Sequence, residues 1–254
     1  MEKPTLFSAW ERLFGMGLLI ALICYLAWVA SYLQIDYFDT FSNYLNSKCI
    51  ALLSPEGYYW KRPLFLPLVL SPFFLLENLT GWELFAFTAS HLLAVLFYAL
   101  LVHASYRLYR IHLAPETAFW GAGLLALNLL LIHHSPFAKE DIPATLLVTL
   151  TFYHYLTLKP SAGWLSLARI SLLAALAMAA RYNLIPLLVL VLALGEIKRA
   201  LTSFLARKSF LALFGPVNLL RSFFLLLLPV ALFMALPLVL YPALGLAAPL
   251  EAPR

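Results

Sequence analysis

PLFLPLVLSPFFLL, residues 63–76, decides how the chain threads a bilayer. The run is apolar throughout, yet it is shorter than the about 20 residues a helix needs to cross the hydrocarbon core. Pro67 and Pro72 interrupt it, and each removes a helical hydrogen bond. It therefore reads as an interfacial or re-entrant helix, residues 63–76, that stays on the face it started from. The next apolar run, Leu84 to Tyr106, then runs inward and delivers Arg107 and Arg110 to the cytoplasmic side, where the positive-inside bias puts arginine. Were residues 63–76 to cross, both arginines would land outside.

Composition supports a membrane setting for this choice. The chain has 254 residues, 63% of them hydrophobic and 11% charged, with a mean hydropathy of +0.89. That is the balance of an integral membrane protein, and at about 20 residues per span the length accommodates about seven spans with no soluble domain. The expected spans are Phe14 to Tyr32, Leu84 to Tyr106, Ala118 to Ile132, Ala144 to Leu158, Leu165 to Ala180, Leu184 to Leu194 and Ser222 to Leu240. The apolar runs are continuous rather than alternating, so sheet structure is excluded and the expected fold is an all-α polytopic transmembrane helical bundle. Residues 1–254 form one module. Its first outer loop is 34–83, containing the interfacial helix, and its second acidic loop is 133–143.

Lys3 and Arg12 precede the first span, which places the N-terminus in the cytoplasm. Most further basic residues then fall inside, including Lys198, Arg199, Arg207 and Lys208 of a basic amphipathic stretch, while most acids fall outside. The net charge of +5 comes from residues scattered at helix ends rather than from one exposed stripe, so nucleic acid is excluded as a partner. Cys24 falls within the first span and Cys49 in the loop beyond it, positions that do not suit a disulfide. His91, His103 and His154 lie inside spans, where interhelical hydrogen bonding is their ordinary use.

Two polar stretches remain on the outer face. The first holds Asp36, Asp39, Glu56, Lys61 and Arg62; the second is HHSPFAKEDIP, His133 to Pro143, with Lys139, Glu140 and Asp141. Arg181 and Tyr182, between two later spans, share that face. Ionisable groups so close to lipid are costly unless they face a cavity or a partner, which makes this face the candidate site. A carboxylate there can act as general base or hold a divalent cation, and a neighbouring cation can hold phosphate. The plainer alternative is a set of helix caps and surface ion pairs. His133 and His134 point about 100° apart on a helix, which disfavours joint metal ligation and favours His134 as cavity lining.

Three of these motifs, in this order, carry a resemblance. Asp39 with Tyr44 opens the first outer loop, Lys61-Arg62-Pro63-Leu64 follows, and Ala138-Lys139-Glu140-Asp141-Ile142-Pro143 opens a later span. The set resembles the polyprenyl-phosphate-sugar-dependent glycosyltransferases of the GT-C fold, in the branch of the protein O-mannosyltransferases and the aminoarabinose transferases of lipid A. Thr40 stands where an acidic neighbour is usual, and Lys139 stands where that branch has arginine. The motifs span a little over half of the chain.

The resemblance implies a seven-span GT-C-like module that moves a sugar, with inversion, from a polyprenyl phosphate to an acceptor on the periplasmic, extracellular or luminal face. Asp39 would be the catalytic base and Asp141 the second acidic site. Lys61, Arg62, Lys139, Glu140, Arg181, Tyr182 and His134 would bind substrate. Where a relative uses a divalent metal cation, its ligands here would be Asp39, Glu56 and Asp141. Family members usually continue into further segments that help bind the acceptor, so a partner subunit is expected to supply that part. The competing expectation is a non-catalytic membrane protein that binds or transports a lipid-linked sugar carrier, although acids gathered at one face, without two similar halves, fit an enzyme better.

Overall fold

The structure, a computed structural model, describes residues 6–32, 38–54, 57–59, 62–159, 163–207, 220–243 and 245. Among these, every regular element is helical. The helices are α1 Leu6–Tyr32, α2 Phe38–Leu52, α3 Phe65–Thr80, α4 Phe85–Tyr109, α5 Pro115–Ala126, α6 Leu129–His134, α7 Asp141–Leu156, α8 Trp164–Ala180, α9 Leu184–Arg207 and α10 Leu228–Ala243. A π turn, Phe223–Leu227, leads into α10.

Helix α4 lies at the centre and packs against α1, α3, α5 and α7. Its inward side carries Val95, Tyr98, Leu101 and Val102, which meet Leu26 and Ala30 of α1, Ala122 and Ala126 of α5, and Ile142 and Leu146 of α7. Helix α7 turns back onto α8, and α8 packs on α10. The α7–α8 seam is built from Ala144, Leu147, Ala177, Met178 and Ala180. Small side chains let the two backbones approach closely, which is how helices adhere where no hydrophobic difference from lipid drives them together.

The chain departs from the expected elements in four places, each with a local cause. Residues 38–52, read as loop, form α2. Their polar composition hid the helix, because its buried side includes Thr40, Asn43, Asn46 and Ser47 rather than aliphatic residues. The short apolar run of residues 63–76 becomes α3, which continues to Thr80 until Gly81, at φ 68°, turns its N–H back to the Glu77 carbonyl at 2.9 Å. The expected span Ala118 to Ile132 is broken: α5 stops at Ala126, and the Asn128 side chain caps a new helix by accepting the N–H groups of Leu130 and Leu131 at 3.0 and 3.2 Å. The buried Tyr98 hydroxyl donates to the Ala126 carbonyl at that break. Finally, Leu184 to Leu194 and the basic stretch beyond it as far as Arg207 are one continuous helix, α9.

Pro229 brings no N–H to the turn before it, and the backbone widens there into the π turn. The Ser171 hydroxyl of α8 reaches across to the Phe224 carbonyl of that turn. Phe85–Tyr109 and Leu220–Ala243 are long and apolar enough to cross a membrane. Leu124, Leu129, Leu238 and Val239 stand 67 to 82% exposed on the outside of the bundle. The molecule is an all-α bundle with the character of a helical membrane-associated protein.

Candidate functional site

Helix α2 is the clamp that assembles the site. Asn46 faces the loop before α3 and bonds both backbone groups of Tyr59: its amide donates to the Tyr59 carbonyl at 2.9 Å, and the Tyr59 N–H donates to its Oδ1 at 2.6 Å. One turn earlier, Asn43 donates to the Ala138 carbonyl at 3.4 Å, tying the loop before α7 to the same helix. The two loops that carry the charged motifs are thereby held against one support. The sequence reading gave neither asparagine a role; two amides three residues apart in a segment read as loop were the available signal.

Arg62 then sits between the two acidic stretches. Its guanidinium pairs with Asp39 in the first turn of α2, and its other nitrogen lies 3.8 Å from Glu140 at the start of α7. Tyr59 adds its ring face, 6.0 Å from the guanidinium carbon. The Tyr182 hydroxyl donates to the Arg62 carbonyl at 2.9 Å, so the turn after α8 is fastened to the same loop. Burial, reinforced by Tyr241 and the Glu140 charge, raises the Tyr182 phenol above its usual range, which keeps it a donor. Arg181, the residue that ends α8, pairs with Asp141 in the first turn of α7.

Asp39, Arg62, Glu140, Asp141, Arg181 and Tyr182, far apart in sequence, therefore form one continuous chain of contacts. An arginine stands on each aspartate, Arg62 on Asp39 and Arg181 on Asp141. A cavity of about 380 Å³ opens beside the Asp141–Arg181 pair and is lined also by Thr145, Val148, Asn183 and Leu184. Thr40 Oγ1, Asn43 Oδ1, Arg62 Nε and Glu140 Oε1 are buried polar atoms without a hydrogen bond around the cluster. Such orphaned atoms are uncommon in cores and mark places where a polar ligand or water is handled.

His134 and Lys139 border the cluster on the α6–α7 loop, both half-buried. Burial lowers the His134 imidazole below the ordinary histidine range, and the charges of Lys139 and His133 lower it further, so it is neutral where most histidines begin to protonate. His91 of α4, fully buried, packs its ring on Phe87 at 4.4 Å and near Tyr44 and Phe137 at 6.4 and 6.2 Å, as part of the aromatic wall behind the cluster. Lys61 and Glu56 lie outside the described residues, as does Asp36. Among the described residues no group of three potential metal ligands gathers, and a cation shared by Asp39 and Asp141 would have to take the place of the arginines now on them. Cys24 is exposed and Cys49 buried, and neither is in a disulfide.

A second charged cluster, absent from the sequence reading, lies toward the opposite end of α7. Glu196 of α9 accepts the Tyr155 hydroxyl at 3.1 Å, Arg199 at 2.8 Å and Arg221 at 3.1 Å. Glu196 and Arg221 are 5 and 8% exposed, so this is a buried ion pair. Arg221 directly before the apolar run of the last helix was the signal available in the sequence. No known family model matches this chain, and no curated protein matches it either.

Proposed function

We propose that the chain is a polytopic membrane glycosyltransferase of the GT-C type, using a polyprenyl-phosphate sugar on the non-cytoplasmic face. The observation that supports this reading is the contact chain from Asp39 through Arg62 and Glu140 to Asp141 and Arg181, beside a cavity of about 380 Å³. It gathers a carboxylate for the acceptor and cations for a phosphate, the two demands of transfer from a phosphate leaving group.

In this mechanism the acceptor oxygen attacks the anomeric carbon, the carbon–oxygen bond to phosphate breaks on the opposite face, and the acceptor proton passes to Asp39. The polyprenyl phosphate departs with the bonding pair. Arg181, oriented by Asp141, and Lys139 meet the growing negative charge, while Arg62 fixes the angle of Asp39 and Tyr182 fixes Arg62. Lys61, Glu140 and His134 are assigned to substrate binding with them. A divalent cation, where one is used, would be held by Asp39, Asp141 and Glu56 in place of the arginines on the two aspartates, and would offset phosphate charge.

Arg181→Ala is the test of the donor side. It is expected to weaken binding of a polyprenyl-phosphate sugar about tenfold, since a charge-assisted contact to phosphate is lost. Unchanged donor affinity in the purified variant would remove Arg181 from the site. Donor binding without transfer by the wild-type chain, in the presence of acceptor, would favour the carrier-binding or transport reading instead.

The proposal also fixes a topology of about seven spans in which α3 stays on the outer face and α4 runs inward. Single cysteines at positions 79 and 112 are expected to react with an impermeant maleimide from opposite sides, position 79 from outside. Labelling of position 79 only after permeabilisation would overturn the arrangement.

A further inference from the structure

The α7–α8 pair borders a second, open cavity at the end away from the carboxylate cluster. It measures about 260 Å³ and is lined by His154 of α7, by Thr157 and Lys159 just past the end of that helix, and by Ser166 and Arg169 from the start of α8. Arg107, at the end of α4, stands alongside, with its guanidinium over the Tyr153 ring at 5.3 Å and donating to the Tyr153 hydroxyl at 2.7 Å. Cationic side chains from three helices thus meet at one end of the bundle.

These cations differ from four arginines elsewhere in the bundle. Arg62, Arg181, Arg199 and Arg221 each face a carboxylate. Among the described residues, Lys159 and Arg169 have no ion-pair partner, and the one buried carboxylate at this end, Glu196, is already shared by Arg199 and Arg221. Arg169 lies more than a turn inside α8, and on the reading that α8 spans the membrane an unneutralised guanidinium there is costly. The Ser166 side chain adds a hydroxyl, and a hydroxyl with two or three cations is the donor set that holds phosphate. A cavity of this volume suits a head group rather than a drug-sized ligand, and basic pockets between membrane helices on the cytoplasmic side take anionic head groups.

We infer that the cavity between the ends of α7 and α8 is a phosphate-binding site, separate from the donor site, in which Lys159, Arg169 and His154 hold the phosphate of an anionic lipid head group or of a soluble phosphate ester. The inference rests on the reading that α7 and α8 span the membrane, and it makes no use of the transfer chemistry. Its position puts the phosphate on the cytoplasmic face, roughly 20 Å along α7 from Asp141.

The test uses the full chain, reconstituted in phosphatidylcholine nanodiscs doped with phosphatidylglycerol, with retained lipid read by native mass spectrometry after extraction. Inorganic phosphate is titrated in parallel against the chain in a neutral detergent. Wild type is expected to bind one of the two probes, and Lys159→Gln with Arg169→Gln to bind it at least about tenfold less. Both side chains are exposed, so this variant should fold as wild type does. Phosphatidylglycerol retention that depends on the pair identifies a lipid ligand, and phosphate binding that depends on it identifies a soluble one. Equal binding by wild type and variant, or no binding of either probe, overturns the site. Arg181→Ala serves as control: it should leave this binding unchanged while weakening the donor, so the two readings fail separately.

Discussion

Asp39→Asn is expected to lower sugar transfer about a hundredfold or more while leaving donor binding close to wild type. Asparagine keeps the size and the place at the start of α2 but cannot take the acceptor proton. The neighbours define what else changes. Arg62 loses one of its two carboxylates and retains Glu140, 3.8 Å away, so the loop before α3 stays anchored through Asn46 and Tyr182. Asp39 is about half exposed, which makes a folding defect a poor explanation for lost turnover. The measurement is transfer from a polyprenyl-phosphate sugar under single-turnover conditions with donor saturating. Equal rates for wild type and Asp39→Asn would refute the base, and a loss confined to donor affinity would move Asp39 to the binding side. Asp39→Glu should recover part of the rate, since the carboxylate returns with its reach altered.

The largest expected effect on stability is elsewhere, at Glu196. Truncation to alanine leaves Arg221 and Arg199 without their carboxylate and the Tyr155 hydroxyl without its acceptor, and breaking a buried ion pair from one side costs about 3–5 kcal/mol. The packing there leaves little room to relax: a methyl group added at Gly195 would meet the Tyr155 ring at 2.8 Å. Glu196→Ala should therefore shift unfolding in mixed detergent micelles by several kcal/mol and release the last helix from α9. Replacing Glu196 and Arg221 together by Leu and Met should recover much of the loss, because the desolvation of two charges disappears with their attraction. A single-variant loss below about 1 kcal/mol would show that the pair is solvated.

The helical, membrane-adapted character of the chain was legible in the sequence because it depends on local quantities. A 63% hydrophobic composition and long apolar runs leave a helical bundle as the solution that satisfies its own backbone in lipid. The positions of α4, α7 and α8 followed from the runs themselves, within a few residues. Helix α2 did not, since helix patterns are sought in aliphatic residues, whereas α2 buries Thr40, Asn43, Asn46 and Ser47 against loops that need hydrogen-bond partners. The Asn128 break was equally hidden, because an apolar run gives no sign of the single side chain that ends one helix and caps the next.

Of the candidate site, the sequence determined which residues carry charge, and the positive-inside bias led only to the expectation that Asp39, Arg62, Glu140, Asp141 and Arg181 share one membrane face. Tertiary structure decided the pairing: Arg62 with Asp39 and Glu140, Arg181 with Asp141, and Glu196 with Arg221 across 25 residues. The reason is physical. Hydropathy and helix termination act over a few residues and leave a trace in the order of residue types, whereas an ion pair depends on which helices lie side by side. That choice was made by alanine seams such as α7–α8 and by the amides of α2, none of which signals its partner from its own neighbourhood in the chain.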